Sequence, residues 1–310
     1  MPPRPPTARL GGASMTDLER GGGRAAGICL MLLAALFFSS GGLITRQIEV
    51  ANGWQVMFYR AVGMTAVLLV VLAIKERGRV VGPFRAIGWG GLLVGFAIAV
   101  SMTAYVFAMM LTTVASAQFI ISSAPVYAAL MSWIVLKERV HGSTWIAIGV
   151  AIIGMGIMFA DGFAIGRLAG LFVALLAGVT YAILIVILRR LRAIDMLPAL
   201  IVAGLMAGSW SGLIAGDLAI PMNDILFGLL MGAVQTATGF SLIMLATRRL
   251  PAAEASLVLL VEPILGPTWV WILLAETPTR MALIGGVIVL GAVLLQTIAS
   301  VAAERRAAPA

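Results

Sequence analysis

Arg60 and Glu262 are the two charged residues that sit well inside long apolar runs of this 310-residue chain. A charge in a hydrocarbon interior costs about 2.5–3.5 kcal/mol or more, so such residues usually face a cavity, a partner or a ligand. A guanidinium can hold an anionic group. A carboxyl can hold a cationic one, or carry a proton. The plainer readings are a structural ion pair, or an arginine whose long stem lets its head reach the interface. A Ser-His-Asp catalytic set or a histidine-ligated metal site inside the membrane is not available, because His141 is the only histidine, and Cys29 is the only cysteine. Neither a disulfide within the chain nor a cysteine–histidine metal site can form, and no cofactor is implied.

Uncharged polar residues add a candidate lining. Gln118 and Ser122 share a helix face at i, i+4, and Pro125 follows them; Ser39 and Ser40 precede a Gly-Gly pair; Tyr105, Tyr181, Gln235 and Thr238 lie in other apolar runs. Taken singly, each hydroxyl reads as bonded to its own helix carbonyl. Together they suggest a polar cavity whose helices are bent at Pro125 and Pro263, where a proline removes a backbone donor.

The elements that must position these groups are membrane spans. Hydrophobic residues make up 61% of the chain, charged residues 11%, and the mean hydropathy is +1.07. About 20 apolar residues cross a bilayer as a helix. Ten such runs are present, at 26–45, 54–74, 86–108, 114–136, 143–161, 168–188, 197–216, 224–245, 253–275 and 281–303. The expected fold class is an all-α polytopic membrane protein, and the lipid bilayer is its first partner. The short alternating strands of a membrane barrel are absent.

Basic residues orient the spans. With the N-terminus inside, 17 of the 21 Lys and Arg fall in cytoplasmic segments, and Arg46, Arg167 and Arg280 fall outside. Cytoplasmic loops carry such an excess. Both termini are therefore expected in the cytoplasm. The net charge of +8 is a topology signal and not a nucleic-acid footprint, since no basic groove with exposed aromatics is evident. Residues 1–25, with four early prolines and a Gly-Gly-Gly run, read as a disordered tail, with Met15 as an alternative start of translation.

The chain repeats itself. Pro125 and Glu138 recur as Pro263 and Glu276 at an offset of 138, and Gly91, Gly95, Gly149 and Gly154 recur as Gly228, Gly232, Gly286 and Gly291 at 137. Five spans per half is an odd number, so the second half, 168–303, is expected to lie inverted relative to the first, 26–161. Such 5+5 inverted repeats build transporters with a site near the midplane. Glu262 falls near that midplane and pairs with Ala124 in the repeat, so the charge breaks the symmetry. Small residues spaced by four, as at Gly204, Gly208 and Gly212, mark close helix packing, with a homodimer face as the lesser reading.

Each half resembles an EamA-type repeat of the drug/metabolite transporter superfamily. The likeness rests on the stretch from Thr113 to Met158, with Pro125 and Lys137-Glu138-Arg139, on its echo at Pro263, Glu276, Gly286 and Gly291, and on Phe58-Tyr59-Arg60. It implies a ten-helix carrier of a small polar metabolite such as an amino acid, often an exporter, in a bacterial inner membrane. Protons are a candidate coupling partner, and the carrier is a monomer or homodimer. A flippase for a lipid-linked substrate is the alternative, and it would need a lateral opening. Glu138 and Glu276, at span ends, are expected to be structural. The topology has a direct check: a cysteine at Asp217 should react with an impermeant thiol reagent only from outside the cell, and labelling only from the cytoplasm would invert the assignment.

Overall fold

The protein is described by a computed structural model covering residues 15–137, 142–190, 196–250 and 252–307. Of the tail expected over 1–25, residues 1–14 lie outside the described residues, and a helix begins at Met15. Glu138 and His141 also lie outside them.

Ten helical segments are long and apolar enough to cross a membrane. In order they are Gly23–Thr45, Gly53–Lys75, Gly88–Leu111, Val114–Ile134, Gly142–Ala164, Leu168–Ile187, Met196–Ala215, Met222–Ala246, Glu254–Leu274 and Arg280–Ala299. No strand occurs among the described residues. Each boundary falls within a few residues of its expected position, because length and hydropathy fix the spans directly.

Two spans are broken, not merely bent. The fourth divides into Val114–Ile121 and Ala124–Met131, and the ninth into Ala252–Leu259 and Glu262–Leu274. Both gaps sit just before a proline. Pro125 and Pro263 have no N–H to give to the preceding turn. The chain replaces the lost bonds with tighter ones, Ser123 N–H to Ile120 O in one span and Val261 N–H to Val258 O in the other. The eighth span departs differently. It widens into a π-helix over Met231–Thr238 before resuming as Gly239–Ala246.

The packing has a regular plan. The third span packs on the sixth and seventh, and the eighth on the first and second. The fourth packs on the sixth, and the ninth on the first; the second crosses the seventh, and the fifth crosses the tenth. Replacing each span by the one five places along returns the same set of pairs. The backbone repeats as well. Lys137 and Ala275 end the fourth and ninth spans in the left-handed region, at φ 53° and 55°. Their separation equals that of the sequence repeat.

Glycine allows the closest of these crossings. A Cβ on Gly232 would overlap the backbone carbonyl of Arg60, so the second and eighth spans touch through their main chains. The Gly204–Gly212 face of the seventh span is occupied by the second span of the same chain, at Thr65, Ala61 and Phe58. Gly149 faces open space. Gly232→Ala should therefore cost about 1–3 kcal/mol, because backbone cannot yield as a side-chain tip can. Gly149→Ala should leave stability unchanged or raise it slightly through helix propensity. Thermal unfolding of the two variants in detergent reads the contrast.

Candidate functional site

A cavity of about 300 Å³ lies at the centre of the bundle. That is the lower end of the range for small-molecule sites. It is walled by the first, second, third, fourth, sixth, eighth and ninth spans. Its lining starts at mid-span and runs toward one end, reaching Ile185, Ile243 and Ser256 near the tips of three spans. In sequence those tips adjoin the basic residues Arg189, Arg190, Arg248 and Arg249.

Arg60 reaches the cavity from the second span and is 3% exposed. Its Nε and Nη2 donate to Thr236 Oγ1 at 3.2 and 3.1 Å, and its Nη1 donates to the Met102 carbonyl at 3.4 Å. The π-helix makes the first contact possible. Widening the turn rotates Thr236 toward the second span and lets its hydroxyl donate to Met231 O, five residues back. Three of the five guanidinium N–H groups are thereby used. The guanidinium carbon also stands 5.0 Å from the centre of the Tyr105 ring, a cation–π contact.

Glu262 opens the second half of the ninth span. A carboxylate there is favoured by the free N–H groups of the helix start. Its Oε1 accepts from Gln118 Nε2 at 3.3 Å. Gln118 belongs to the other broken span, so the two broken spans meet at the cavity wall. Among the described residues neither Arg60 nor Glu262 forms an ion pair. Both line the same cavity as opposite charges held apart.

Of the residues singled out in the sequence, Arg60, Tyr105, Gln118, Ser122, Pro125, Tyr181, Gln235, Glu262 and Pro263 are gathered at the cavity wall. Ser39, Ser40 and Thr238 are not. Ser39 donates to Leu36 O and accepts from Trp269 Nε1; Ser40 donates to Phe37 O; Thr238 donates to Ala233 O. These hydroxyls are spent on helix carbonyls and packing. Phe38, Met102 and Phe240 also line the wall, and an apolar residue in an apolar helix carries no mark in the sequence. Thr236, which shares the apolar run of Gln235 and Thr238, serves Arg60, a role that depends on a helix widening no spacing announces.

The opposite end of the bundle carries a second set of polar contacts. Arg46, just past the first span, donates to both oxygens of Glu276 at 2.5 and 3.2 Å. It also donates to Met109 O at 2.5 Å and Thr112 O at 2.8 Å, at the end of the third span. Glu276 in turn accepts from Val114 N–H at 3.0 Å, at the start of the fourth. Asp224 accepts from the N–H groups of Glu49, Val50 and Ala51 nearby.

The EamA-like transporter family model matches this chain twice, over residues 25–160 and 168–298. The chain belongs to that family. It is similar to an uncharacterized transporter of Clostridium kluyveri, at 26% identity over 86% of this chain and 92% of that one. An uncharacterized transporter of Archaeoglobus fulgidus is 26% identical over 63% of this chain and 71% of its own length. A solved crystal structure matches with a TM-score of 0.64 at 16% identity, over 89% of this chain and 98% of that one, which speaks for the fold alone. This EamA protein is thus a multi-pass membrane protein of a transporter family.

The Arg46–Glu276 pair has a pH signature. Burial raises the carboxyl pKa of Glu276, but the Arg46 hydrogen bond and charge, the Val114 N–H and the charge of Arg167 outweigh it and hold it below its ordinary value of 4.5. The sign follows from linkage. A carboxyl depressed on folding contributes its stability above the unfolded pKa and loses it as pH falls through the folded one. Thermal stability in detergent should show this contribution undiminished from neutral pH to near 4.5, then falling with acid. Glu276→Gln should lower stability at pH 7 and remove that share of the acid loss.

Proposed function

We propose that this protein is a secondary transporter that exports a small polar metabolite with both an anionic and a cationic group, such as an amino acid. The supporting observation is a pair of opposite charges on one cavity wall, Arg60 buried and Glu262 half-buried, neither in an ion pair among the described residues. A zwitterion supplies the counter-charge to each at once. Arg60, with donors to spare, holds the anionic end against the Tyr105 ring, and Glu262 with Gln118 holds the cationic end. Phe38, Met102 and Phe240 receive the apolar remainder. Nothing in this scheme makes or breaks a covalent bond, so the protein acts as a carrier and not as an enzyme.

The carrier works by alternating access between two inverted five-span repeats in a bacterial inner membrane, with both termini cytoplasmic. In that orientation the cavity reaches toward the basic, cytoplasmic side and is shut toward the outside. The state is the loading state of an exporter. Glu262 has a second task compatible with the first, which is to bind a proton on the return stroke when no cationic group is present. The paired helix breaks at 122–123 and 260–261 support the reading, since broken spans give a site backbone polarity where it lines a cavity.

Inverted vesicles holding the protein should accumulate amino acids on its account, and more so with a proton gradient of the physiological sign. Removing one member of a buried charge pair costs about 2–5 kcal/mol, so Arg60→Gln should raise the half-saturating concentration about 30-fold or more. Glu262→Gln at equal membrane abundance should do likewise and abolish the response to the gradient. Full transport by both variants would reject the assignment of the site. A requirement for a lipid tail on the substrate would favour a flippase.

A further inference from the structure

We propose that Arg46 is the outer gate latch, and that the outward-facing state forms when the turn joining the third and fourth spans lets go of an Arg46–Glu276 pair that itself stays intact. The proposal rests on the alternating-access reading above.

The bonds divide into two kinds. Arg46 and Glu276 end the first and ninth spans, which pack against each other on one side of the cavity. Their ion pair is internal to that side. Met109 O, Thr112 O and Val114 N–H belong to the turn between the third and fourth spans. That turn leads to the sixth span, on which the third and fourth spans both pack, while the fourth also meets the ninth below the mouth. Three hydrogen bonds therefore cross the outer mouth, and both partners in the ion pair take part. The Val114 side chain lies beneath them in the seam, where a Cβ on Gly42 would overlap it.

A second feature points to the same place. Ala275 adopts φ 55° immediately before Glu276. A left-handed alanine costs about 1–2 kcal/mol, and such strain persists where the surroundings enforce it. Here the turn swings the Glu276 carboxylate back over the mouth to meet Arg46 and Val114. The planar fork of arginine is also required. One guanidinium bonds a carboxylate along one edge and two carbonyls along others, which an ammonium on a flexible stem does not reproduce.

The test uses the full-length chain with Cys29→Ser. Val114→Cys reports on the seam, and Ile121→Cys reports on the cavity at the break of the fourth span. Both are labelled with an impermeant thiol reagent in right-side-out and inverted vesicles. With Arg46 present, Val114→Cys should label slowly from outside. Arg46→Ala and Arg46→Lys should each speed it about tenfold or more, the scale expected for losing charge-assisted hydrogen bonds. Ile121→Cys should gain outside labelling and lose cytoplasmic labelling in the same variants. Arg46→Lys keeps the charge and guards against a fold that fails without it, and membrane abundance and melting temperature are measured alongside. Unchanged Val114→Cys labelling in both variants would overturn the latch. Faster seam labelling with no outside access at Ile121→Cys would also overturn it, because the contact would then be local packing. Transport by the parent protein in inverted vesicles is read separately. Its absence would sink the carrier reading, whatever the labelling shows.

Discussion

A guanidinium in the hydrocarbon layer must find its hydrogen bonds inside the protein, and the burial of Arg60 sets much of the surrounding structure. Its stem is sealed between the second, third and eighth spans. To supply partners, the eighth span gives up regular helix over eight residues and turns Thr236 inward. To bring that hydroxyl close enough, the second and eighth spans meet at main-chain distance, which only glycine at position 232 permits. All of these partners are neutral. They satisfy donors but leave the charge itself unbalanced, and in a low-dielectric site an unbalanced charge is the property most able to select a ligand.

Two symmetries are superposed. The helix pairings, the breaks before Pro125 and Pro263 and the left-handed residues Lys137 and Ala275 all recur at one offset. The charges do not recur. Glu262 stands where the first half has Ala124, and each is the first residue after its break. The repeated features concern how helices bend and cross, which a carrier needs on both faces of the membrane. The unrepeated ones concern what sits in the cavity, which is a single place. Symmetry in the frame and asymmetry in the site are thus consistent with one another.

Much of this was legible in the chain. Spans are written in hydropathy over twenty residues at a time, so boundaries followed with small error. The cavity residues were found because polar side chains stand out in an apolar run, and nine of the twelve positions singled out reach the cavity wall. Ser39, Ser40 and Thr238 lie off that wall, because a hydroxyl can spend itself on the turn behind it, and sequence does not say which will. The sequence marks Pro125 as a bend; the helix breaks there, as it does before Pro263, because the proline leaves the preceding turn without a donor. Arg46 looked like an exception to the charge bias, and Glu276 like a residue fixing its own loop. Their meeting depends on how the first and ninth spans lean, which no local pattern records.

If the contacts around Arg46 are the proposed outer gate, the nature of that seal bears on how easily it can open. Alternation requires two states within a few kcal/mol of each other. A seal of buried apolar side chains alone would favour one state heavily. The bonds across this mouth go to Met109 O and Thr112 O, at the C-terminal end of the third span, and from Val114 N–H, at the start of the fourth. Helix ends leave such groups without intrahelical partners in any case. Water entering from outside can take the place of Arg46 at the carbonyls and of Glu276 at the amide, and the ion pair keeps its own charges compensated meanwhile. The seal is therefore specific in geometry yet inexpensive to exchange, which is the combination a gate needs and a permanent structural tie does not.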